Sequence, residues 1–236
     1  MRVLLVTAVA AERDAAAGGG TAHPLPGGRF SVLRRSVDTP GGPVVTDALA
    51  AGVGPAAAAA GTATALTAAA AAAEPYGFVV SAGIGGGFPG VPVGAAVVAT
   101  RIVAADLGAD TADGFVSVAG LDLGRVEHRP PQDVVEGVAR AAAAATGPVL
   151  TVSTATGTAE RAAELIRRHP DAAAEAMEGF GVAEAASAHG VPVLELRTIA
   201  NAVGPRDRAA WRIPEALQAL GEAWHRTVPV LAGRKG

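Results

Sequence analysis

Residues 177–201 read MEGFGVAEAASAHGVPVLELRTIAN, and this stretch indicates the class of fold. Its first half, Glu178–His189, predicts a helix. The second half, Pro192–Ile199, is a short apolar run and predicts a buried strand. A helix that leads into a buried strand is the unit from which α/β proteins are built.

The same alternation extends outward through the chain. The other predicted strands are Val3–Val6, Arg29–Val37, Pro43–Ala50, Gly77–Ser81, Ala95–Ala105, Phe115–Ala119 and Pro148–Ser153. The other predicted helices run from Pro55 to about Ala73, over Pro130–Ala145, over Thr158–His169 and from Pro214 to about Leu231. Strands that are apolar throughout and alternate with helices predict a mixed, mostly parallel sheet covered by helices on both faces. Because no linker and no internal repeat interrupts the pattern, we expect one domain over residues 1–236.

Three segments fall outside this alternation. Gly18–Gly28 is rich in Gly and Pro and predicts a loop, and Gly83–Gly90 predicts a glycine-rich turn after the strand that ends near Ser81. Ala172–Met177 is too short for its structure to be predicted from its pattern.

The composition restricts the classes of function. Half of the 236 residues are apolar, which allows a sizeable core. A net charge of −3 and a pI of about 6.0 do not favour a nucleic acid or an anionic membrane as partner. The absence of Cys excludes disulfides, thiolate zinc sites and Cys nucleophiles, and it is compatible with a cytoplasmic protein. The five His residues show no paired metal-ligand spacing.

Two apolar segments resemble targeting or membrane sequences but are better explained as structure. The run from Val3 to Ala11 is followed at once by charged residues and by no convincing cleavage site, so it predicts a buried first strand. The alanine tract at 56–73 is interrupted by Gly and Thr and is too weakly hydrophobic for a membrane span.

Four places in the chain put chemically useful groups at strand ends or at a helix start. Glu12 follows the first strand, Ser81–Phe88 follows the strand over Gly77–Ser81, and Asn201 follows the last strand. Met177-Glu178-Gly179 lies at a helix start. Ligands of open α/β sheets bind beyond the carboxyl ends of the strands, so these residues are the candidates for a site.

Each candidate also has an ordinary structural explanation. A carboxylate such as Glu12 or Glu178 often lies in the first turn of a helix, and Asn201 suits a cap or a turn. The glycine-rich segment lacks both the dinucleotide-binding fingerprint and the Gly-Lys-Ser/Thr ending of a phosphate loop. Trp211 is of a type that more often packs than stacks on substrate. None of these residues indicates a site when it is taken alone.

Their order and spacing resemble the nucleoside phosphorylase and nucleosidase superfamily over nearly the whole chain. The matching elements are Glu12, Gly52-Val53-Gly54, the glycine-rich turn, Met177-Glu178-Gly179 and Arg197-Thr198-Ile199-Ala200-Asn201. The most specific is a Met-Glu-Gly helix start followed about 20 residues later by an Arg-x-Ile-x-Asp/Asn strand end. The resemblance implies a single-domain, three-layer α/β/α fold with a mixed, mostly parallel central sheet.

Within that superfamily the chain most resembles the futalosine hydrolases. The resemblance rests on Val6-Thr7-Ala8 leading to Glu12, and on the run from Asn201 through Trp211 to Leu217, whereas residues 101–146 match weakly. It implies hydrolysis of the N-glycosidic bond of futalosine, with release of hypoxanthine and dehypoxanthine futalosine, in menaquinone biosynthesis.

The chemistry of N-glycoside cleavage suits the candidate residues. The reaction builds positive charge on the sugar and negative charge on the base, so it needs a carboxylate near the sugar, a positioned water and donors for the base. The resemblance implies that Glu12 is the general base for the water and that Glu178 accepts hydrogen bonds from the ribose hydroxyls. It places Met177 against the sugar, brings the backbone of Ile84-Gly85-Gly86 close to the nucleoside and adds Trp211 to the binding surface.

Asn201 indicates which base is bound. Adenine-specific nucleosidases of the superfamily carry Asp at this position, which can protonate N7 and accept from the 6-amino group. The amide of Asn201 instead supplies N–H donors for O6 and N7, and its carbonyl can accept from a base N–H. The residue therefore favours a 6-oxopurine, hypoxanthine or guanine, over adenine.

The resemblance implies no metal and no organic cofactor. It implies a small-molecule nucleoside as substrate, no nucleic acid or membrane partner, and a homo-oligomer, with a dimer favoured. The sequence does not assign the residue that binds the carboxylate of futalosine, for which Arg101, Arg206 and Arg212 are candidates, nor the groups that stack on the base, which the segment 154–158 can supply.

Two alternatives stay open. One is another superfamily member, such as a methylthioadenosine/adenosylhomocysteine nucleosidase or an inosine phosphorylase. Asn201 argues against the first, and Glu12 with the lack of a basic phosphate site argues against the second. The other is a nucleoside-binding protein without catalysis, which the intact Glu12 and Glu178 disfavour.

Overall fold

The computed structural model describes residues 1–234 as an alternation of strands and helices. The strands are β1 (Arg2–Thr7), β2 (Thr21–Pro24), β3 (Ser31–Val37), β4 (Val44–Ala50), β5 (Phe78–Gly87), β6 (Ala96–Ala104), β7 (Gly108–Thr111), β8 (Gly114–Ser117), β9 (Glu127–His128), β10 (Ala145–Thr151), β11 (Ala174–Ala176) and β12 (Val193–Ala202). The helices are α1 (Ala10–Ala17), α2 (Pro55–Ala71), α3 (Gln132–Ala142), α4 (Ala159–Arg168), α5 (Gly179–Ala188) and α6 (Ile213–Ala232).

A mixed sheet of ten strands forms the centre of the protein, as the sequence predicted. Its strand order is β11-β10-β6-β12-β5-β1-β4-β3-β2, with β9 paired to β6 and an additional pairing of β11 with β5. The central strands β4, β1, β5 and β12 are parallel, and so are β6, β10 and β11. Antiparallel pairings occur where β12 meets β6 and at the β2–β3–β4 edge. Strands β7 and β8 form a separate hairpin.

Helices cover both faces of this sheet and complete a three-layer α/β/α arrangement. On one face, alternate residues of β1 such as Leu4 belong to a buried cluster with Ala58 of α2 and Val182 of α5. On the other face, Leu5 belongs to a cluster with Val138 of α3 and Leu220 of α6. Because side chains of a strand alternate between faces, a continuously apolar strand is what a sheet buried on both sides requires.

The predicted strands and helices are largely confirmed, and the corrections concern short or ambiguous segments. The predicted loop Gly18–Gly28 contains the edge strand β2, and α1 follows β1 where no helix was assigned. The predicted helix Pro130–Ala145 ends at Ala142, because the chain there takes a left-handed conformation at Ala143 and then enters β10. The unassigned segment Ala172–Met177 contains β11.

The glycine-rich segment is the main correction, because Gly83–Gly87 continues β5 and is not a turn. These residues pair with β12 on one side and with β11 on the other. A Cβ on Gly85 would lie 2.7 Å from the carbonyl oxygen of Glu175. The glycines therefore allow the neighbouring strand to approach closely, and a strand that carries them looks like a turn in the sequence.

The topology brings the candidate residues to one edge. The parallel strands β1, β5 and β12 end in the same direction, close to Glu12, Gly86 and Asn201 respectively. Of the helices described, none is long and apolar enough to cross a membrane.

Candidate active site

A cavity of about 430 Å³ opens at the carboxyl ends of the central strands. All eight residues that the sequence proposed for the site lie on its wall: Glu12, Ile84, Gly85, Gly86, Met177, Glu178, Asn201 and Trp211. They come from β5, β12, the start of α1, the start of α5 and the segment after β12, so the fold gathers residues that are far apart in the chain.

Glu12 is held by the backbone at three points. It lies in the first turn of α1, is buried, and its Oε2 accepts hydrogen bonds from the N–H groups of Ala8 (3.0 Å) and Val9 (3.3 Å). Its Oε1 accepts from the N–H of Ile84 on β5 (2.9 Å). A carboxylate that bridges the end of one strand and the middle of the next is fixed in orientation.

Glu178 is the second buried carboxylate of the cavity and immediately precedes α5. Its Oε1 accepts a hydrogen bond from the N–H of Gly54 at the start of α2 (3.2 Å). Its Oε2 faces Nη1 of Arg197 at 3.3 Å. The positive ends of two helix dipoles and one guanidinium thus surround this carboxylate and stabilise its charge.

Arg197 anchors this part of the site from beneath the wall. Its guanidinium is buried and donates to Oε1 of Glu195 (2.9 Å), to Oε2 of Glu178 (3.3 Å) and to Oγ of Ser81 (3.0 Å). Burial lowers the pKa of Arg197, but the carboxylates of Glu195, Glu178 and Glu12 outweigh that effect and raise it above the ordinary value. The arginine stays charged, and the sequence motif around it did not reveal this role.

Glu195 is the second carboxyl group that contacts Arg197, and it is fully buried on β12. Its Oε1 accepts from Nε of Arg197, whereas its Oε2 has no hydrogen-bond partner among the described residues. Burial raises the pKa of Glu195 to about 7, although Arg197 opposes the shift. We refer to Glu12, Glu178, Arg197 and Glu195 together as the arginine-backed end of the site.

A single glycine lets the groups at this end come together. A Cβ on Gly83 would lie 2.7 Å from Oε1 of Glu12 and 2.7 Å from Nη1 of Arg197. Any side chain at this position would push the carboxylate and the guanidinium away from each other. The glycine is therefore required by the site itself.

The opposite end of the cavity is built around Gly86. Asn201 on β12 pairs with Gly86 from one side, and Glu175 on β11 pairs with it from the other. A Cβ on Gly86 would lie 3.4 Å from Nδ2 of Asn201, which donates one hydrogen bond to the carbonyl of Ala202 (2.8 Å). We refer to Gly86, Asn201, Glu175 and Thr156 as the glycine-floored end.

Glu175 is a wall residue that sequence reasoning missed, whereas its partner Thr156 lies in the segment 154–158 that the sequence offered for contact with the base. Glu175 is buried and accepts from the backbone N–H of Thr156 (2.8 Å) and from its hydroxyl. Burial raises the pKa of Glu175, while these two hydrogen bonds oppose the shift. The segment 154–158 does contribute Ala155, Thr156 and Gly157 to the wall, but these side chains are small and offer no aromatic surface. The only signal for Glu175 was a carboxylate in an apolar run.

The rim is formed by the segment after β12. The N–H of Arg212 donates to the carbonyl of Ala200 (2.8 Å), which folds this segment back along β12 and brings Trp211 onto the wall. The guanidinium of Arg206 lies 5.7 Å from the centre of the Trp211 ring and also lines the cavity. Of the three arginine candidates for carboxylate binding, Arg101 and Arg212 are not on this wall.

The arrangement favours acid–base chemistry on an organic ligand. Two fixed carboxylates lie at one end and an amide at the other, and within residues 1–234 no group of three or more His, Cys, Asp and Glu side chains is placed to hold a metal ion. The cavity is also large enough for a small organic molecule.

Comparison with known proteins agrees with this geometry. The sequence model of the phosphorylase superfamily matches residues 26–228. The futalosine hydrolase of Streptomyces coelicolor is 60% identical to this chain over 236 residues, which cover 100% of the chain and 98% of that protein.

Solved structures share the fold. The futalosine hydrolase of Helicobacter pylori aligns with a TM-score of 0.78 at 16% identity and covers 97% of both chains. The 5′-methylthioadenosine/S-adenosylhomocysteine nucleosidase of Neisseria meningitidis, in complex with methylthio-immucillin-A, aligns with a TM-score of 0.79 at 20% identity, over 97% of this chain and 98% of that one. The match to the superfamily model and the 60% identity over the full chain show that the chain belongs to the phosphorylase superfamily and, within it, to the futalosine hydrolase family.

Proposed function

We propose that this protein hydrolyses the N-glycosidic bond of futalosine and releases hypoxanthine and dehypoxanthine futalosine. The observation that carries the proposal is one cavity that holds Glu12 and Glu178 at its arginine-backed end and Asn201 at its glycine-floored end. The similarity to a futalosine hydrolase over the full chain supports the same substrate.

Glu12 acts as the general base for the attacking water. Its two oxygens each have a backbone donor, so the carboxylate cannot rotate, and a free lone pair remains for a water. A base fixed within hydrogen-bond reach of its water contributes by position as well as by basicity.

Glu178 binds the sugar and stabilises the positive charge that develops on it. The bonds from Gly54 and Arg197 use part of its acceptor capacity and leave the rest for the ribose hydroxyls. Hydrogen bonds from these hydroxyls strengthen as the oxocarbenium ion forms, so they lower the barrier and do more than improve binding. Met177, the preceding residue on the wall, packs against the sugar.

Asn201 receives the departing base. Its amide donates to O6 or N7 of hypoxanthine and spreads the negative charge that the base acquires. Ile84, Gly85 and Gly86 provide a flat stretch of β5 beneath the nucleoside, and Trp211 covers it from the rim.

Water is the nucleophile at this site and phosphate is not. A phosphate at the position of attack would need a free cation beside Glu178, but Arg197, the arginine there, is engaged by Glu178 and Glu195. Arg206 lies at the rim with Trp211. The carboxylate of Glu12 would also repel an anion at the position of attack.

The 5′ substituent of futalosine extends towards the open side of the cavity. Val9 and Val53 line the cavity and are exposed, so they offer apolar surface to the aryl group. Arg206 is the candidate for the carboxylate, because it is the arginine that lines the wall. We further propose that the protein works in the cytoplasm as a homo-oligomer, most simply a dimer, in menaquinone biosynthesis.

A substrate panel tests the proposal. Purified protein is incubated in phosphate-free buffer with futalosine, inosine or methylthioadenosine, and the free base is followed by chromatography. We expect hypoxanthine from futalosine at a much higher kcat/KM than from inosine, and no adenine from methylthioadenosine. Adenine as the main product would assign the protein to a sister activity, and no release from any nucleoside would indicate a binding protein.

A further inference from the structure

We propose that Glu175 is a specificity residue that accepts a hydrogen bond from N1–H of the 6-oxopurine, opposite Asn201, and thereby excludes adenine. The inference rests on the proposed function, because it assigns a contact within the same substrate. It concerns a residue that is distinct from the carboxylates given catalytic roles above.

The strand register places Glu175 and Asn201 on the same face of the sheet. Glu175 of β11 and Asn201 of β12 are both the register partners of Gly86, on opposite sides of β5. Residues paired across strands project their side chains from the same face. The two side chains therefore flank a residue that has no side chain, and both lie on the wall of the same cavity.

This arrangement suits a flat ring. The register of β12 shifts between Ile199 and Asn201, and the shift brings Asn201 opposite Gly86. Adjacent strands are about 4.8 Å apart, so side chains on either side of Gly86 stand roughly 10 Å apart at the sheet. Gly86 puts no side chain on the floor between them, where an added Cβ would lie only 2.9 Å from Cγ2 of Val203. A planar base placed there meets an amide at one edge and a carboxylate at the other. Gly86, which Glu175 and Asn201 flank, lies two residues further along β5 than Ile84, which contacts Glu12. This distance along the strand separates the place of base binding from the place of attack on the sugar.

Glu175 has acceptor capacity that the protein does not use. Thr156 donates one hydrogen bond to each of its oxygens, and within residues 1–234 Glu175 forms no ion pair with Arg, Lys or His. A carboxylate has about four acceptor positions, so positions remain for a ligand. A buried carboxylate without a cation is costly, and such groups concentrate at functional sites.

The chemistry of the two bases explains the selectivity. Hypoxanthine carries a proton on N1 beside the acceptor O6, whereas adenine has an unprotonated N1 beside a donor amino group. Asn201 can donate to O6 while Glu175 accepts from N1–H, so the two positions at which hypoxanthine differs from adenine are both paired. Adenine would place the lone pair of N1 against the carboxylate, and a site that leaves buried polar groups unpaired rejects that ligand strongly.

The test compares Glu175→Gln with the wild-type enzyme on two substrates, futalosine and its counterpart with adenine in place of hypoxanthine. A Gln amide can donate to N1 of adenine and is about the size of Glu. We expect the ratio of kcat/KM, futalosine over the adenine counterpart, to fall by about 10- to 100-fold. If Glu175 only anchors the 154–158 segment, both substrates lose activity equally and the unchanged ratio overturns the proposal.

Two controls separate this result from other causes. Glu160→Gln alters an exposed carboxylate in the first turn of α4 and should leave the ratio unchanged. Binding of free hypoxanthine and free adenine by calorimetry measures base recognition without turnover. If the wild type cleaves no futalosine but Glu175→Gln still weakens hypoxanthine relative to adenine, the proposed function fails and the role of Glu175 stands.

The wild-type protein offers a test that does not depend on folding of the variant. A hypoxanthine analogue with carbon in place of N1 keeps the oxygen at C6 and keeps N7 but has no N–H at position 1, because the ring proton of its 6-oxo form lies on N3. We expect it to bind the wild-type protein at least about 10-fold more weakly than hypoxanthine. Equal affinity for the two bases would show that N1–H is not recognised.

Discussion

The two ends of the cavity treat a buried carboxylate in opposite ways. At the arginine-backed end, Glu178 lies against a buried guanidinium and the start of a helix, and Glu12 accepts three backbone hydrogen bonds. At the glycine-floored end, Glu175 has only Thr156 for a partner among the described residues. The first environment holds the carboxylates in place before the substrate binds. The second leaves hydrogen-bond acceptor positions that the substrate can use.

This difference matches the two tasks of a nucleosidase. Charge that is fixed in advance stabilises a transition state without reorganisation. Unused hydrogen-bond acceptors discriminate between ligands, because only a base with a donor at the matching position can pair with them. We therefore expect substitutions of Glu12 and Glu178, which line the cavity at the arginine-backed end, to lower turnover for every nucleoside. Substitutions at the glycine-floored end should change which base is released.

The largest effect is expected for Glu12→Gln. Loss of the general base should lower kcat by up to about 10⁴-fold for all nucleosides. The matched control is Asp14→Asn, an exposed carboxylate on the same helix. Steady-state kinetics with futalosine measure both variants, and near-normal turnover in Glu12→Gln would remove Glu12 from the mechanism.

Glu178→Gln should abolish practical turnover while the fold stays intact. The neutral amide keeps the shape of the side chain but loses the charge opposite the developing oxocarbenium ion, so we expect kcat to fall by about 10³-fold. The circular dichroism spectrum checks the fold. A variant that retains near-normal rates contradicts the role assigned to Glu178.

A smaller, selective effect is expected for Asn201→Asp. The carboxylate loses the N–H donors that face O6, so kcat/KM for the 6-oxo nucleoside should fall relative to that for its adenine counterpart by about 10- to 100-fold. Measuring both nucleosides with one enzyme preparation gives the ratio directly. A ratio equal to that of the wild type would mean that Asn201 does not read the base.

Glu195→Gln should change the pH dependence of stability more than the chemistry. Burial raises the pKa of Glu195 from 4.5 to about 7, so the folded protein holds this proton more tightly than the unfolded chain. Its contribution to stability is complete below about pH 4.5 and is lost as the pH rises to about 7. Gln does not titrate, so the free energy of unfolding of the variant should not show the decrease of roughly 3 kcal/mol that titration of Glu195 causes in the wild type between about pH 4.5 and 7.

Urea unfolding at pH 4.5, 5.5 and 7.0 measures this difference. We expect the free energy of unfolding to decline less with pH in Glu195→Gln than in the wild type. The substitution also changes the surroundings of Oε2 of Glu195, which has no partner among the described residues, and this changes the free energy of unfolding by the same amount at every pH. The test therefore compares how steeply the free energy of unfolding changes with pH in the two proteins. Parallel curves for the two proteins would show that Glu195 does not titrate in this range.

The fold was predictable where the pattern is local. Composition and the residues at the ends predict long apolar strands such as Ala96–Ala104 and helices such as Pro55–Ala71. The segment Gly83–Gly87 was misjudged because its conformation is determined by strands β11 and β12, which are far away in the sequence. Sequence alone does not distinguish a glycine that lets a neighbouring strand approach closely from a glycine in a turn, because the neighbouring strand is distant in the sequence.

The gathering of the candidate residues was predictable where a motif carries them. Glu12, Glu178 and Asn201 lie at strand ends or at a helix start, in the order of the family, and the structure brings them to one cavity. Two features could not be predicted: within residues 1–234 Glu175 is bound by Thr156 and by no cation, and Arg197 forms two ion pairs. Both depend on which buried groups meet across the sheet. Burial and pairing are properties of the fold, and no spacing rule contains them.

The most direct test of the central claim is the mass of the sugar product formed from futalosine in the presence of phosphate. We predict dehypoxanthine futalosine with a hydroxyl at C1′, formed at the same rate with and without phosphate, and free hypoxanthine in equal amount. A sugar product that carries phosphate at C1′ would contradict the account, because it would show that the arginine-backed end admits an anion where we place water.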